Sequence, residues 1–179
     1  VAQREAVDRD LVLRAKGGDR EAFGILVRRY QRRVFALGLR WFRNADDADD
    51  VVQETFLRAW RALDRFEEDR PLAPWLLRIA SNWARTQVET RKRRGGEELD
   101  ESIRWEGPSP EEELDKGRRR EAIVRAVEEL PEDQRVVLHL RVSEGLSYRE
   151  ISDTLDVPIG TVMSRLSRAR ETLRTRVNR

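Results

Sequence analysis

Residues 146–170 constrain this chain more than any other stretch, because they dictate two short helices and a tight turn in a fixed order. Ser147 and Glu150 form an S-x-x-E capping box, which satisfies free N–H groups at a helix start. Ile151 and Leu155 follow on one face. Asp156-Val157-Pro158 ends that helix, since the residue before a proline is pushed out of the α region. A second helix starts near Ile159-Gly160-Thr161, with Val162, Leu166, Ala169 and Leu173 as its apolar stripe. Its opposite face carries Gly160, Ser164, Ser167 and Arg168, flanked by Thr161 and Arg165. Helix, turn and helix with small polar and Arg residues outward is a helix-turn-helix pattern. Ser, Thr and Arg suit contacts to base edges and phosphates in a major groove. The alternative is an Arg-rich face that is merely solvated.

The remaining 145 residues before it must share the same architecture, for the long periodic segments are all helical. A length of 179 residues supports one or two small domains. With 39% of residues charged and 39% hydrophobic, the cores are modest. The net charge of +2 conceals an asymmetry. Residues 1–94 hold 21 Lys and Arg against 15 Asp and Glu, residues 95–116 hold 2 against 9, and residues 117–179 hold 13 against 10. Two basic modules joined by an acidic strip suggest two polyanion-binding domains on a flexible linker. The absence of Cys excludes disulfides and thiolate metal sites. No apolar run is long enough for a membrane span, and no signal-peptide pattern opens the chain. These features lead us to expect a cytoplasmic protein without metal, cofactor or membrane insertion of its own. One His, no Cys and no phosphate-binding Gly loop speak against an enzyme. His139 is expected to be structural or at the surface, since nothing near it makes a triad or metal set.

In the first module a short helix from Asp8 to Lys16 is expected to end at Gly17-Gly18, and Asp19 to cap the next. That next helix runs to about Asn44 and buries Phe23, Leu26, Val27, Tyr30, Val34, Leu37 and Trp41. A third helix, Ala45 to about Asp64, has Ala48, Val52, Phe56, Ala59 and Leu63 as its core stripe. On its flank lie Asp49, Gln53, Leu57 and Trp60, with Asp50 and Glu54 beside them. Acids, an amide, Leu and Trp make either a docking surface, where Trp is a frequent anchor, or a wide buried stripe with solvated acids next to it. Phe66 to Pro74 reads as a loop by its prolines and charges. A fourth helix, from about Trp75 to Arg91, carries Leu76, Ile79, Ala80 and Trp83 inward and ends in Arg91-Lys92-Arg93-Arg94. Aromatics, Asn82 and Arg78 and Arg85 beside a loop suit single-stranded DNA, which is held by stacking, base-edge hydrogen bonds and phosphate contacts. The basic run also complements a helix macrodipole. In the second module, helices are expected over Glu111–Leu130 and from Pro131 to about Ser143 before the helix-turn-helix.

Taken together, these residues resemble the extracytoplasmic-function (ECF) sigma factors of bacterial RNA polymerase over nearly the whole chain. Asp49-Asp50-Val51-Val52-Gln53-Glu54-Thr55-Phe56-Leu57-Arg58-Ala59-Trp60 resembles the family's clamp-binding segment of region 2. Trp75-Leu76-Leu77-Arg78-Ile79-Ala80-Ser81-Asn82 resembles its W-L-x-x-I-A-x-N helix, which reads the −10 element. Leu130 to Val137 and Gly160 to Arg170 resemble region 4, which reads the −35 element. The resemblance implies an all-α protein of two helical domains, 1–94 and 117–179, on an acidic linker, 95–116. It implies binding to core RNA polymerase through Asp49, Asp50, Gln53, Glu54, Leu57 and Trp60. It implies capture of the opened −10 strand by Phe66, Arg70, Leu72, Trp75, Arg78, Asn82 and Arg85, and duplex −35 readout by Arg149, Thr161, Ser164, Arg165, Ser167 and Arg168. An anti-sigma factor is a further implied partner, and no C-terminal sensing domain is expected after region 4. Three positions depart from the family pattern. Met163 stands where Lys or Arg is common, and Leu72 and Pro74 stand where Phe and Thr are common. The other reading of the same residues is a conventional helix-turn-helix regulator that binds operators without polymerase.

Overall fold

The computed structural model describes residues 2–93 and 123–177, and the chain divides into two compact units. The described residues contain helices and turns and no strand. The expected acidic strip 95–116, the start of the Glu111 helix and Arg94 lie outside the described residues.

The first unit holds α1 (Ala2–Lys16), α2 (Arg20–Phe42), α3 (Ala45–Ala62), a 3-10 turn (Leu63–Arg65) and α4 (Leu72–Arg93). Helix α1 begins earlier than the Asp8 expected from periodicity. It is fastened by Leu11, Val12 and Ala15 and by a buried Asp8 that accepts from the Tyr30 hydroxyl and the Arg29 guanidinium of α2. Gly18 adopts φ 93°, which an L side chain resists, and lets Asp19 cap α2 by accepting from the Ala22 N–H at 3.0 Å. Helix α2 stops two residues sooner than expected. Arg43 takes the left-handed conformation, and Asn44 caps α3 by accepting from the Asp46 and Asp47 N–H groups. Helices α2 and α3 cross closely at Gly38, where a Cβ would lie 2.9 Å from the Ala48 Cα. Helix α3 packs on both α2 and α4. Its buried positions are therefore Ala48, Val51, Thr55, Phe56 and Ala59, with Val51 and Thr55 in place of the expected Val52. Helix α4 starts at Leu72, not Trp75, because Pro74 falls in its first turn, where a missing N–H costs nothing. It buries Leu76, Leu77, Ala80, Ser81, Ala84 and Val88, while Ile79 and Trp83 are only half-buried.

The second unit holds a short helix α5 (123–128), α6 (Glu132–Val142), α7 (Tyr148–Leu155) and α8 (Ile159–Val177). Helix α6 packs against α8. Leu130, Val136, Val137, Leu140, Ile151, Val162, Leu166 and Ala169 are buried. The capping box forms as its sequence dictates: the Ser147 N–H donates to Glu150 Oε2 at 2.8 Å and the Glu150 N–H to Ser147 Oγ at 3.2 Å. The turn closes with Asp156 at φ 53°, and the Val157 N–H reaches back to the Ser152 carbonyl at 3.2 Å.

Candidate functional site

Three surfaces carry the residues singled out above. On α3, Asp49, Asp50, Gln53, Leu57 and Trp60 are exposed and Glu54 is half-buried beside Arg58, which donates to it at 2.7 Å. Leu57 is 44% exposed and Trp60 38%, so this flank is not part of the core. The flank is one wall of an open apolar groove whose other wall comes from α2. Phe23, Val27, Val52, Gln53, Phe56, Leu57 and Trp60 line it. The Phe23 ring meets Trp60 edge-on at 4.9 Å and Phe56 at 6.3 Å. Phe23 and Val27, expected in the core, are half-buried and shape the groove instead. Their position was readable only from a stripe on α2 too wide for one neighbour. Large apolar side chains left facing solvent and rimmed by carboxylates are complementary in chemistry to a surface with apolar and basic groups.

The second surface is the loop 66–71 with the outer face of α4. Phe66 and Leu72 are buried. They differ from the other residues of the expected strand-binding set, which reach the surface. Phe66 packs on Trp75 with ring centroids 4.7 Å apart, so it supports the half-buried indole. Arg70 is exposed and pairs with Glu67 at 2.8 Å across a tight turn in which the Arg70 N–H donates to the Glu67 carbonyl. Arg78 is exposed, one turn along α4. Asn82 and Arg85 are half-buried neighbours, the guanidinium donating to Asn82 Oδ1 at 3.3 Å. Of the basic run, Arg91 is engaged within the unit. It donates to both carboxylate oxygens of Asp47, one at 2.9 Å, and its guanidinium lies 5.0 Å from the Phe42 ring centre. That hydrogen-bonded carboxylate holds the Arg91 pKa above its ordinary value.

The third surface is α8. Gly160, Ser164, Ser167 and Arg168 are exposed, as is Arg149 on α7, and Thr161 is half-buried. A Cβ at Gly160 would meet nothing within 4 Å, so this end of the helix is open to a close-approaching ligand. Arg165 is held by Asp133 of α6 at 3.0 Å with 26% of its side chain exposed. It is therefore oriented by its own unit before any ligand arrives. Ser164 Oγ donates to the Thr161 carbonyl at 3.0 Å. Met163 is 53% exposed and Ile159 48%, which puts an apolar strip beside the polar one.

His139 is buried, 3.8 Å from Glu144, and belongs to the packing of α6. Among the described residues no cluster of His, Cys, Asp and Glu is arranged to hold a metal, and no helix is long and apolar enough to cross a membrane.

The family profile "Sigma-70 region 2" matches residues 26–94, and "Sigma-70, region 4" matches residues 120–173. The chain is 39% identical over 183 aligned residues to the ECF RNA polymerase sigma-E factor of Salmonella typhimurium, covering 97% of this chain and 95% of that protein. It is 38% identical over 176 residues to the RNA polymerase sigma-H factor of Pseudomonas aeruginosa, covering 93% and 91%. Among solved structures it resembles the sigma factor RpoE of Bartonella quintana, crystallised with the anti-sigma factor NepR. The TM-score is 0.68 at 27% identity, covering 86% of this chain and 93% of that one.

Proposed function

The chain belongs to the ECF sigma factors of bacterial RNA polymerase, and on that premise we propose that its two units divide promoter recognition between them. A sigma factor binds core polymerase and directs initiation to specific promoters, and this is the activity of the chain. The family consists of non-catalytic initiation factors. We propose that this member likewise forms and breaks no bonds and works where the polymerase does, in the cytoplasm.

The groove between α2 and α3 takes the polymerase clamp. Leu57 and Trp60 supply the apolar anchor, and Asp49, Asp50, Gln53 and Glu54 supply a polar rim that chooses the orientation. Arg70, Trp75, Arg78, Asn82 and Arg85 face the opened −10 strand. Trp75 offers a stacking plane, Asn82 a base-edge amide and the arginines phosphate contacts. Buried Phe66 and Leu72 set the loop's shape. Helix α8 enters the major groove at −35. Ser164, Ser167 and Arg168 meet base edges, and Arg149, Thr161 and Arg165 meet the backbone. The working domains are residues 1–94 and 117–179, joined by the acidic strip 95–116. An anti-sigma factor that covers these surfaces keeps the chain inactive, a regulation supported by the similarity to RpoE of Bartonella quintana in its complex with NepR.

One observation carries this reading over a stand-alone operator-binding regulator: Leu57 and Trp60 stand exposed in an apolar groove that a simple repressor has no use for. The test is co-elution with core polymerase. Wild-type chain should co-elute. Leu57→Ala with Asp50→Ala should not, while its circular dichroism stays that of the wild type. A double variant that still co-elutes would remove the groove from the assembly.

A further inference from the structure

The loop 66–71 is held from outside itself, by a residue of the first helix. Lys16 ends α1, and its ammonium donates to the Phe66 carbonyl at 2.6 Å and to Glu68 Oε2 at 2.8 Å. A lysine in the last turn of a helix ordinarily serves the carbonyls of that helix. This one is drawn to a segment 50 residues away.

We propose that Lys16 is a positioning residue for −10 recognition: it fixes the loop between the 3-10 turn and α4 so that Arg70 and Trp75 are presented in one arrangement before DNA arrives. This rests on the reading that the loop and α4 meet the −10 strand.

The platform is rigid. Leu11, Val12 and Ala15 bury α1, and Asp8 ties it to Tyr30 and Arg29. Both acceptors of Lys16 flank the start of the turn from Glu67 to Arg70, so two bonds set the turn's position as well as its orientation. On one side of the turn, Phe66 is buried and carries the Trp75 ring at 4.7 Å. On the other, Leu72 is buried at the start of α4. Moving the Phe66 carbonyl therefore moves the platform under Trp75.

The loop has two other ion pairs, and their exposure separates them from this one. Arg9–Asp69 is 56% and 81% exposed, and Arg70–Glu67 is 71% and 67% exposed. Pairs in water hold little. The Lys16 and Glu68 side chains are only 21% and 33% exposed, and one cation serves a carbonyl and a carboxylate together. The Lys16 ammonium, above all through its hydrogen bond, keeps the Glu68 carboxyl below the usual carboxylate range. A loop fixed in advance loses less freedom when a strand binds, so more of the contact energy goes into discrimination. Lys16 lies outside residues 26–94, the span of the region 2 match, so that match gives it no role.

The experiment uses the full chain as Lys16→Met, Lys16→Arg and Glu68→Gln. Met keeps the aliphatic stem and removes the charge. Holoenzyme reconstituted from each variant is assayed on promoters with single-base changes in the −10 element and, as an internal control, in the −35 element. Amide exchange of residues 67–70 is measured on the free chain. Lys16→Met should speed loop exchange and cut −10 discrimination by about two- to tenfold, the size of a hydrogen bond or two. Its −35 discrimination and assembly with core should stay at wild type. Glu68→Gln should show a smaller loss, and Lys16→Arg should restore most of the discrimination. Unchanged exchange in Lys16→Met would overturn the brace itself. Faster exchange with unchanged −10 discrimination would overturn the positioning role, while Trp75→Ala in the same assay decides separately whether the loop and α4 read the −10 element. Equal loss at −10 and −35 would reduce Lys16 to a stability role and overturn its positioning function.

Discussion

The two segments that we propose to face DNA differ in how many of their groups are already partnered. On α8, Ser167 and Arg168 are exposed and Gly160 has space around it, while Arg165 is held by Asp133 and Ser164 by the Thr161 carbonyl. In the loop and α4 several charged and polar groups already have partners, while Arg78 stands exposed. Arg70 holds Glu67, Arg85 holds Asn82, Arg91 holds Asp47, and Lys16 holds Phe66 and Glu68. The difference fits the two targets. Duplex DNA presents a fixed groove, so a helix with a bare face can dock as it stands. An opened strand is flexible, and a surface that captures it must supply the order itself. Internal pairing gives that order, at the cost that some pairs exchange for DNA contacts on binding.

The comparison is sharpened most by the largest expected effect. Arg168→Ala removes an exposed guanidinium from the outward face of α8 and, on the proposed base contact, should cost about 1–3 kcal/mol of −35 discrimination, read by competition binding of matched and mismatched duplexes. Asn82→Ala acts on the paired surface, where the wild-type amide must first leave Arg85. It should slow promoter opening by about two- to tenfold without affecting assembly with core, as followed by permanganate reactivity. If Asn82→Ala proved more damaging than Arg168→Ala at matched promoters, the ranking of open over paired contacts would be wrong. Arg165→Ala should reduce the salt slope of duplex binding by about one unit and weaken all sequences evenly. Met163→Arg should steepen the slope by about the same amount, since it adds a cation to an exposed position on α8.

The smallest effect is on pH. The Glu68 carboxyl is held low by Lys16, so its folded value lies below its unfolded one. Its contribution is then complete above the unfolded carboxylate range and fades as pH falls through the lower, folded value. Asp19 behaves alike, held low first by the Ala22 N–H and then by Arg14. Amide protection in the loop and at the start of α2, corrected for the slower intrinsic exchange at low pH, should therefore fall in acid. Ser164, Ser167 and Arg168 on the outward face of α8 bring no carboxylate, so protection there should change least. Equal acid sensitivity of the three segments would erase the contrast.

Local devices were legible in the sequence. The Ser147–Glu150 box, the Asp19 cap and the stop at Pro158 each act within five residues and form as expected. The helical architecture followed from periodicity, which left the flank of α3 open between an exposed surface and a buried stripe; Leu57 and Trp60 are exposed. What failed depended on how many neighbours a helix has. Helix α3 is covered by α2 and α4, so Val51 and Thr55 are buried where one stripe predicts Val52. Phe23 and Val27 sit at core spacing but line an open groove. Pro74 looked like a loop residue because a proline is ambiguous between a helix's first turn and a break. Lys16 gave no signal at all: its acceptors, a backbone carbonyl and a glutamate, lie 50 and 52 residues along the chain.

We propose that one chain couples a polymerase-docking groove to two different DNA readers. The most direct test is promoter selection from a randomised library by core polymerase with and without the chain. The account predicts transcripts only when both are present, from start sites that share two sequence elements at a fixed spacing. Leu57→Ala with Asp50→Ala should abolish this selection. Enrichment of a single operator-like element bound equally well without core, with no element-dependent transcripts, would contradict it.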